Sequence, residues 1–285
     1  MFATPWMPQH RSFAYSGSLA SFFRNVAART LEALRFYSRL PVPALSFERA
    51  PFAVPDLKRL APYAPPAGAI IGACGAIVLL AARALALPAL VAAALAVSAL
   101  ILVAGGLHED GLADVADGFG GGATRERKLD IMRDSRLGAY GAAALVLSLL
   151  LRAAALAALT GESVATGAAA LLLAGAVSRA CSVAPLALLA PARSDGAGAS
   201  VGRLGADAFG KSVAASLALA AIFGLGVLGL GRALLAFVLA WAAALAMVAI
   251  ARRQIGGQTG DVGGASQQLA EIACLLGLLI GAGAA

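Results

Sequence analysis

Apolar residues in this chain are gathered in long runs that short polar segments separate. Each run is about 20 residues long, the length at which an α-helix crosses a hydrocarbon layer about 30 Å thick. The pattern therefore predicts an all-α fold, a polytopic transmembrane helix bundle of about seven spans. The predicted spans are residues 66–85, 89–107, 139–158, 164–190, 212–230, 233–251 and 268–284.

A different helical pattern precedes the first run. Between residues 18 and 40, apolar side chains such as Phe22 and Leu34 are interleaved with charged ones such as Arg24. This spacing predicts an amphipathic helix that lies in the membrane interface with its apolar face in the lipid. Residues 40–66 contain seven of the twelve prolines, which predicts a largely extended connection to the first span.

The distribution of charge predicts the orientation in the membrane. The chain is 60% hydrophobic and 13% charged, with a formal net charge of +7. Lys and Arg lie mainly before the first predicted span and after the second, fourth and sixth, rather than in one stripe suited to nucleic acid. Because cytoplasmic segments retain positive charge, we expect a multi-pass bacterial inner-membrane protein whose N-terminus and main polar segments face the cytoplasm.

Residues 108–138 form the most acidic segment, with seven of the fifteen acidic residues. We expect a loop here, after the second span. Asp110, Asp114 and Asp117 follow a 4-then-3 spacing, which on a helix would place the three carboxylates within a sector of about 60°. Such like charges repel unless a divalent cation neutralises them, and oxygen ligands of this kind suit Mg²⁺ or Mn²⁺. The pattern predicts a metal site, with a solvated acidic loop as the alternative.

Several other polar residues are candidates for phosphate binding or catalysis. Arg133 and Arg136 flank Asp134, and their guanidinium groups either hold phosphate or anchor the chain at the headgroups. Arg179 falls inside the fourth predicted span, where a charge usually serves a cavity, a partner or a substrate. His108 is either a ligand or base, or a hydrogen-bonded anchor.

A second polar segment, residues 252–264, separates the sixth and seventh predicted spans. It contains five glycines, including Gly257 and Gly260, together with Thr259 and Asp261. Such a flexible backbone can cradle a phosphate or present a carboxylate to a substrate.

Three stretches of sequence carry a family resemblance. They read HEDGLADVADGFGG at 108–121, IMRDSRLGAYG at 131–141 and GGQTGDVGG at 256–264, and FYSRLPVP at 36–43 accompanies them. Together they closely resemble the adenosylcobinamide-GDP ribazoletransferase family, also called cobalamin 5′-phosphate synthase. The resemblance covers about residues 34–271. We expect residues 18–285 to form one integral-membrane transferase domain and residues 1–17 to be a disordered N-terminal extension.

The resemblance implies a specific phosphoryl transfer. α-Ribazole or its 5′-phosphate would attack the phosphorus nearer the cobinamide in adenosylcobinamide-GDP, giving adenosylcobalamin or its 5′-phosphate and GMP. It implies that Asp110, Asp114 and Asp117 bind Mg²⁺, with Mn²⁺ as a substitute, and that Asp261 is a further ligand or the base. The expected substrate-binding and phosphate-binding residues are Arg133, Asp134, Arg136, Arg179, Gly257, Thr259 and Gly260.

Two other classes of protein share part of this pattern. A CDP-alcohol phosphotransferase-like lipid enzyme would share the metal and the topology, but the Asp-Gly and Ala-Arg hallmark of those enzymes is not reproduced here. A transporter would place its binding groups near the middle of the bilayer, whereas these carboxylates gather at one face. No internal repeat stands out either, which also disfavours a transporter.

Overall fold

The computed structural model describes residues 19–46, 48, 56–194 and 202–280, and the predicted N-terminal extension lies outside them. These ranges contain no β-strand, so the all-α class is confirmed. In chain order the described α-helices are α1 (Leu19–Tyr37), α2 (Leu57–Leu60), α3 (Ala64–Ala84), α4 (Ala89–Ala104), α5 (Leu107–Gly121), α6 (Arg125–Ile131), α7 (Ala139–Glu162), α8 (Val164–Ser182), α9 (Ala184–Leu188), α10 (Ala206–Phe223), α11 (Leu230–Ile255) and α12 (Gly260–Leu279).

The number of membrane spans agrees with the predicted seven. In the described part of the chain, six helical stretches are long and apolar enough to cross a bilayer, and a seventh arises if α4 and α5 form one broken span. The chain is therefore a multi-pass membrane protein. The six stretches are Leu57–Ala84, Ala139–Glu162, Val164–Leu188, Ala206–Leu228, Leu230–Ile255 and Gly260–Leu279.

The corner between α4 and α5 corrects the sequence prediction. α4 ends at Ala104 rather than at residue 107, and α5 leaves it at an angle of 91°. Gly105 and Gly106 form the corner with φ values of +70° and +73°, in the left-handed region that favours glycine. The acidic segment after the corner is largely helical, not a loop, because α5 packs against both α7 and α12.

The segment that leads into the first span also differs from its prediction. The prediction of an extended connection is wrong from Leu57 onwards, because α2 begins there. A 3₁₀ turn then joins α2 to α3. Pro62, Pro65 and Pro66 occupy the first turns of these helices, where a missing N–H costs little. Proline thus starts helices here instead of preventing them.

Helix α1 confirms the predicted amphipathic helix. Its C-terminal half packs against α3 and buries Ala33, Leu34 and Tyr37. Its N-terminal half leaves Phe22 and Phe23 more than half exposed, as expected for side chains that enter a lipid interface.

The second polar segment is partly helical as well. Gly256, with a φ of +72°, ends α11, and α12 begins at Gly260 rather than at residue 268. The side chain of Thr259 caps α12 by accepting a hydrogen bond from the Val262 N–H. Only four residues, 256–259, therefore separate α11 from α12 in the structure.

Helices α3 and α8 cross with their backbones in contact. A Cβ atom added at Gly68 would overlap the carbonyl oxygen of Gly175, and one added at Gly72 would overlap that of Leu171. Small residues allow this close approach, which is a common way for helices to associate in lipid.

We expect Gly68→Ala to lower the midpoint of thermal unfolding in detergent, because overpacking a close contact costs about 1–3 kcal/mol. Gly210→Ala is the matched control, since a Cβ at this helical position meets no atom within 4 Å. The control should unfold at or slightly above the wild-type midpoint. Equal midpoints for both variants would contradict this account of the α3–α8 contact.

Candidate active site

The site is built where α5 crosses the start of α12. A Cβ atom added at Gly111 would lie 2.9 Å from the backbone oxygen of Asp261 and 3.2 Å from the Cα of Gly264. Glycine at position 111, opposite Gly264, allows the two helices to approach this closely. The contact brings Asp110 and Asp114 of α5 beside Asp261 of α12, and we call these three residues the acidic cluster.

Electrostatic repulsion acts within the acidic cluster. Asp110 and Asp261, together with Asp117, are close enough to repel the charge on the half-buried Asp114. The guanidinium group of Arg193 offsets part of this repulsion. An oxygen-rich cluster of this kind suits a hard divalent cation.

Two cavities meet at the acidic cluster. The larger, about 700 Å³, is bounded by Asp110, Asp114 and polar residues that include Arg39 and Arg136. The smaller, about 200 Å³, shares Asp110 with it and reaches Asp261. The remainder of the smaller cavity is mainly apolar and aromatic, with Phe36, Tyr37, Leu57, Leu107, His108, Val183 and Leu186 on its wall.

His108 and Tyr37 form part of that apolar wall. Their rings stack with centroids 6.1 Å apart, and both side chains are buried. The hydroxyl of Tyr37 also interacts with Ser182 at the end of α8. These contacts favour a packing role for His108 over that of a ligand.

Asp117 points away from the acidic cluster towards α7. Its carboxylate accepts hydrogen bonds of 2.7 Å from the Gly138 N–H and 2.8 Å from the Gly141 N–H. Asp117 thereby satisfies N–H groups at the start of α7, where a negative charge is favourable. In the described chain no group of three or more His, Cys, Asp or Glu side chains is arranged to hold a metal ion. The three predicted ligands therefore do not converge, and metal binding stays a prediction.

Asp261 is held by two neighbours. Thr259 donates a 3.1 Å hydrogen bond from its hydroxyl to Oδ2 of Asp261, and Nη2 of Arg193 lies 3.4 Å from the same oxygen. The sequence marks Thr259 and Asp261 as candidates, whereas Arg193 is only one of the basic residues that follow the fourth predicted span. No feature of its own segment marks Arg193, because its proximity to Asp261 is a tertiary contact.

A short backbone bridge positions that segment. The Gln258 N–H donates to the Ala190 oxygen, and the Ala192 N–H donates back to the Gln258 oxygen, each over 2.8 Å. Arg125 also donates to the Ala192 carbonyl. A Cβ at Gly257 would lie 2.5 Å from the Ala190 oxygen, so this glycine is needed for the bridge. Its predicted contact with phosphate stays a prediction.

Arg133, Asp134 and Arg136 lie on the loop before α7. Nε of Arg136 donates to Oδ1 of Asp134 over 2.9 Å, and these hydrogen bonds lower the pKa of Asp134 to about 2. Arg136 is exposed and borders the larger cavity, whereas Arg133 is exposed on the same loop. Of the three residues, Arg136 is therefore the best placed for phosphate binding, which stays a prediction.

Arg179 belongs to a buried ionic network rather than to the wall of either cavity described above. Its Nη1 lies 3.4 Å from Oε2 of Glu271 on α12. Arg152 of α7 lies 2.8 Å from Glu271 and 2.9 Å from Glu109 of α5. These four residues, Glu109, Arg152, Arg179 and Glu271, are the intramembrane network. A structural role for Arg179 is favoured, and its predicted grip on phosphate stays a prediction.

Comparison with known proteins identifies the family of the chain. The family model for cobalamin-5-phosphate synthase matches residues 29–279. The relatives named adenosylcobinamide-GDP ribazoletransferase include that of Azorhizobium caulinodans, 56% identical over 87% of this chain and 94% of the relative. That of Xanthobacter autotrophicus is 50% identical over 90% of this chain and 97% of the relative. No solved structure matches. The chain belongs to the cobalamin-5-phosphate synthase family.

Proposed function

We propose that this protein is an adenosylcobinamide-GDP ribazoletransferase, the name that its relatives carry. A hydroxyl oxygen of α-ribazole or its 5′-phosphate forms a bond to the phosphorus nearer the cobinamide, and the bond from that phosphorus to GMP breaks. The products are adenosylcobalamin or its 5′-phosphate, and GMP. The observation that carries the proposal is the meeting of two unlike cavities at Asp110, beside Asp114 and Asp261.

The two cavities suit the two substrates. The larger one has room and the cationic side chains of Arg39 and Arg136 for a nucleoside diphosphate. The smaller one is apolar enough for the flat base of the ribazole. Because Asp110 borders both, the hydroxyl of one substrate and the phosphorus of the other meet at the acidic cluster.

The donor set of the cluster fits Mg²⁺, with Mn²⁺ as a substitute. Mg²⁺ is usually bound by one or two carboxylates together with substrate phosphates, so Asp110 and Asp114 suffice without Asp117, and Asp261 serves as the base. When bound, the cation offsets the negative charge that develops on the diphosphate. The transferase therefore falls in the class that moves substituted phosphate groups and depends on Mg²⁺.

The protein's own side chains position the substrates and move the proton. Asp261, oriented by Thr259, accepts the proton of the attacking hydroxyl. Arg136 exchanges Asp134 for a phosphate oxygen at the mouth of the larger cavity. The ion pair between Glu109 and Arg152 in the intramembrane network holds α5 in place. Asp110 and Asp114 on the same helix are thereby fixed in position at the cavities.

We also propose that the cluster faces the cytoplasm of a bacterial cell with the protein in the inner membrane. The support is the distribution of Lys and Arg, since the segments between spans on the cluster side, such as α6 with Arg125 and Lys128, are basic. The opposite ends of the spans carry little charge beyond Arg83 and the pair that Arg232 forms with Glu162.

The first test is direct turnover. Purified protein in liposomes should release GMP when given adenosylcobinamide-GDP, α-ribazole and Mg²⁺, and removal of Mg²⁺ with EDTA should stop release. Added Mn²⁺ should restore it. A product formed instead from a CDP-activated alcohol would replace the proposal with a lipid synthase.

Replacement of single carboxylates separates the roles of the aspartates. Asp110→Asn and Asp114→Asn should each lower kcat at least 100-fold, about 2.7 kcal/mol in the barrier, without loss of stability. Asp130→Asn, at an exposed position of α6, is the control and should leave kcat unchanged. Near-wild-type rates in both cluster variants at saturating Mg²⁺ would argue against the site.

Asp117→Asn should behave differently from the cluster variants. Asn presents an NH2 group to one of the two backbone N–H groups from which the carboxylate accepts, so the start of α7 loses an acceptor. We expect a thermal midpoint several degrees below that of Asp114→Asn. A midpoint equal to that of Asp114→Asn would show that the cap contributes little.

Orientation can be tested with single cysteines in a variant whose half-buried Cys74 is replaced by alanine. A cysteine at Thr124 should be shielded from a membrane-impermeant thiol reagent in intact cells. A cysteine at Gly161, at the opposite end of α7, is the matched control and should be labelled, because space around it is open. The reverse pattern would overturn the topology.

A further inference from the structure

Arg193 is the residue whose position the function described so far does not fully use. Its Nη2 lies 3.4 Å from Oδ2 of Asp261, and its charge also acts favourably on Asp114. It therefore stands at the acidic cluster as a positive counter-charge. The acidic cluster therefore already has a cationic side chain beside it, at the site where a divalent cation is proposed to bind.

The backbone holds Arg193 in this place. The preceding residue, Ala192, takes part in the bridge with Gln258, and Arg125 donates to the Ala192 carbonyl. A segment tied at both its N–H and its carbonyl group leaves the guanidinium group to move only by rotation of its own side chain. Arg193 therefore stays within reach of the cluster whichever partner it contacts.

Only one of the two terminal nitrogens of the Arg193 guanidinium group has a hydrogen-bond partner among the described residues. Nη1 of Arg193 is buried and has no hydrogen-bond partner among the described residues, and the side chain as a whole is 17% exposed. A buried donor without an acceptor is unfavourable, and native structures rarely retain one without a reason. A guanidinium group next to a phosphate site has such a reason, since a phosphate accepts two N–H groups at once.

Other arginines are less suited to that role. Arg179 is engaged with Glu271 behind the cluster, and Arg136 is exposed and paired with Asp134 at the mouth of the larger cavity. Arg193 combines direct contact with Asp261 and an unsatisfied donor. Arg193 is thus placed to change its partner when the net charge of the acidic cluster changes.

We propose that Arg193 has two partners in turn, Asp261 in the empty site and the diphosphate of the nucleotide substrate in the occupied one. This inference rests on the proposed function. A divalent cation at the cluster would replace the charge of Arg193 and repel it, because like charges at this distance are unfavourable. The released guanidinium group then donates both Nη atoms to phosphate oxygens and holds the diphosphate for attack.

The test compares Arg193→Gln and Arg193→Lys with the control Arg252→Gln, an exposed arginine that contacts only the nearby Leu188 carbonyl among the described hydrogen bonds. Binding of Mn²⁺, followed by electron paramagnetic resonance without substrate, should tighten at least threefold in Arg193→Gln, because a competing cation is gone. Arg193→Lys keeps the charge and should bind Mn²⁺ like the wild type. Unchanged Mn²⁺ affinity in Arg193→Gln would overturn the counter-charge role.

Steady-state kinetics test the second partner. Both variants should raise KM for adenosylcobinamide-GDP at least tenfold and leave KM for α-ribazole within twofold, because Lys cannot donate bidentately. Full recovery of KM by Lys, or an unchanged KM in Arg193→Gln, would refute diphosphate binding. A wild-type protein that releases no GMP would defeat the proposed function instead, while the Mn²⁺ titration would still decide the counter-charge role.

Discussion

The arrangement of the bundle depends on the intramembrane network. Its four charged residues come from four helices, α5, α7, α8 and α12, and the side chains of Arg152, Arg179 and Glu271 are almost wholly buried. A charge without its partner at this depth is costly, whereas a paired and hydrogen-bonded one is tolerated. Gln268 adds to the pairing by donating to Glu109. Because every charge needs the others, none of the four helices can rotate or shift alone.

The network and the acidic cluster both include residues of α5, but they occupy different sides of that helix. Glu109 and Asp110 are neighbours in α5, yet Glu109 pairs with Arg152 in the bundle and Asp110 borders both cavities. Successive residues of a helix point about 100° apart, so adjacent acids can serve opposite purposes. The ion pair on one side fixes the direction of the carboxylates on the other. This division explains why an intramembrane charge cluster lies so close to a polar site.

Much of the fold followed from the sequence, and the errors have common physical causes. Spans were predictable because lipid leaves a helix few alternatives. Because glycine disfavours helix in isolation, the sequence predicts loops for the acidic and glycine-rich segments. Packing between Gly111 and Gly264 overrides that preference. The spacing correctly placed Asp110 and Asp114 on one face, but the turn of Asp117 towards Gly138 depends on a tertiary contact that spacing cannot reveal.

The contact between α5 and α12 also determines when the site can assemble during synthesis of the chain. Translation proceeds from the N-terminus, so α5 leaves the ribosome long before α12 is made. Until then Asp110 and Asp114 have no Asp261 beside them, and Arg152 and Arg179 lack Glu271. A chain that stops before Gly260 carries the acidic helix but neither the third carboxylate nor the charge that joins the two arginines. The acidic cluster and the intramembrane network therefore remain incomplete through nearly all of the insertion of the chain, and both are completed only when α12 is made.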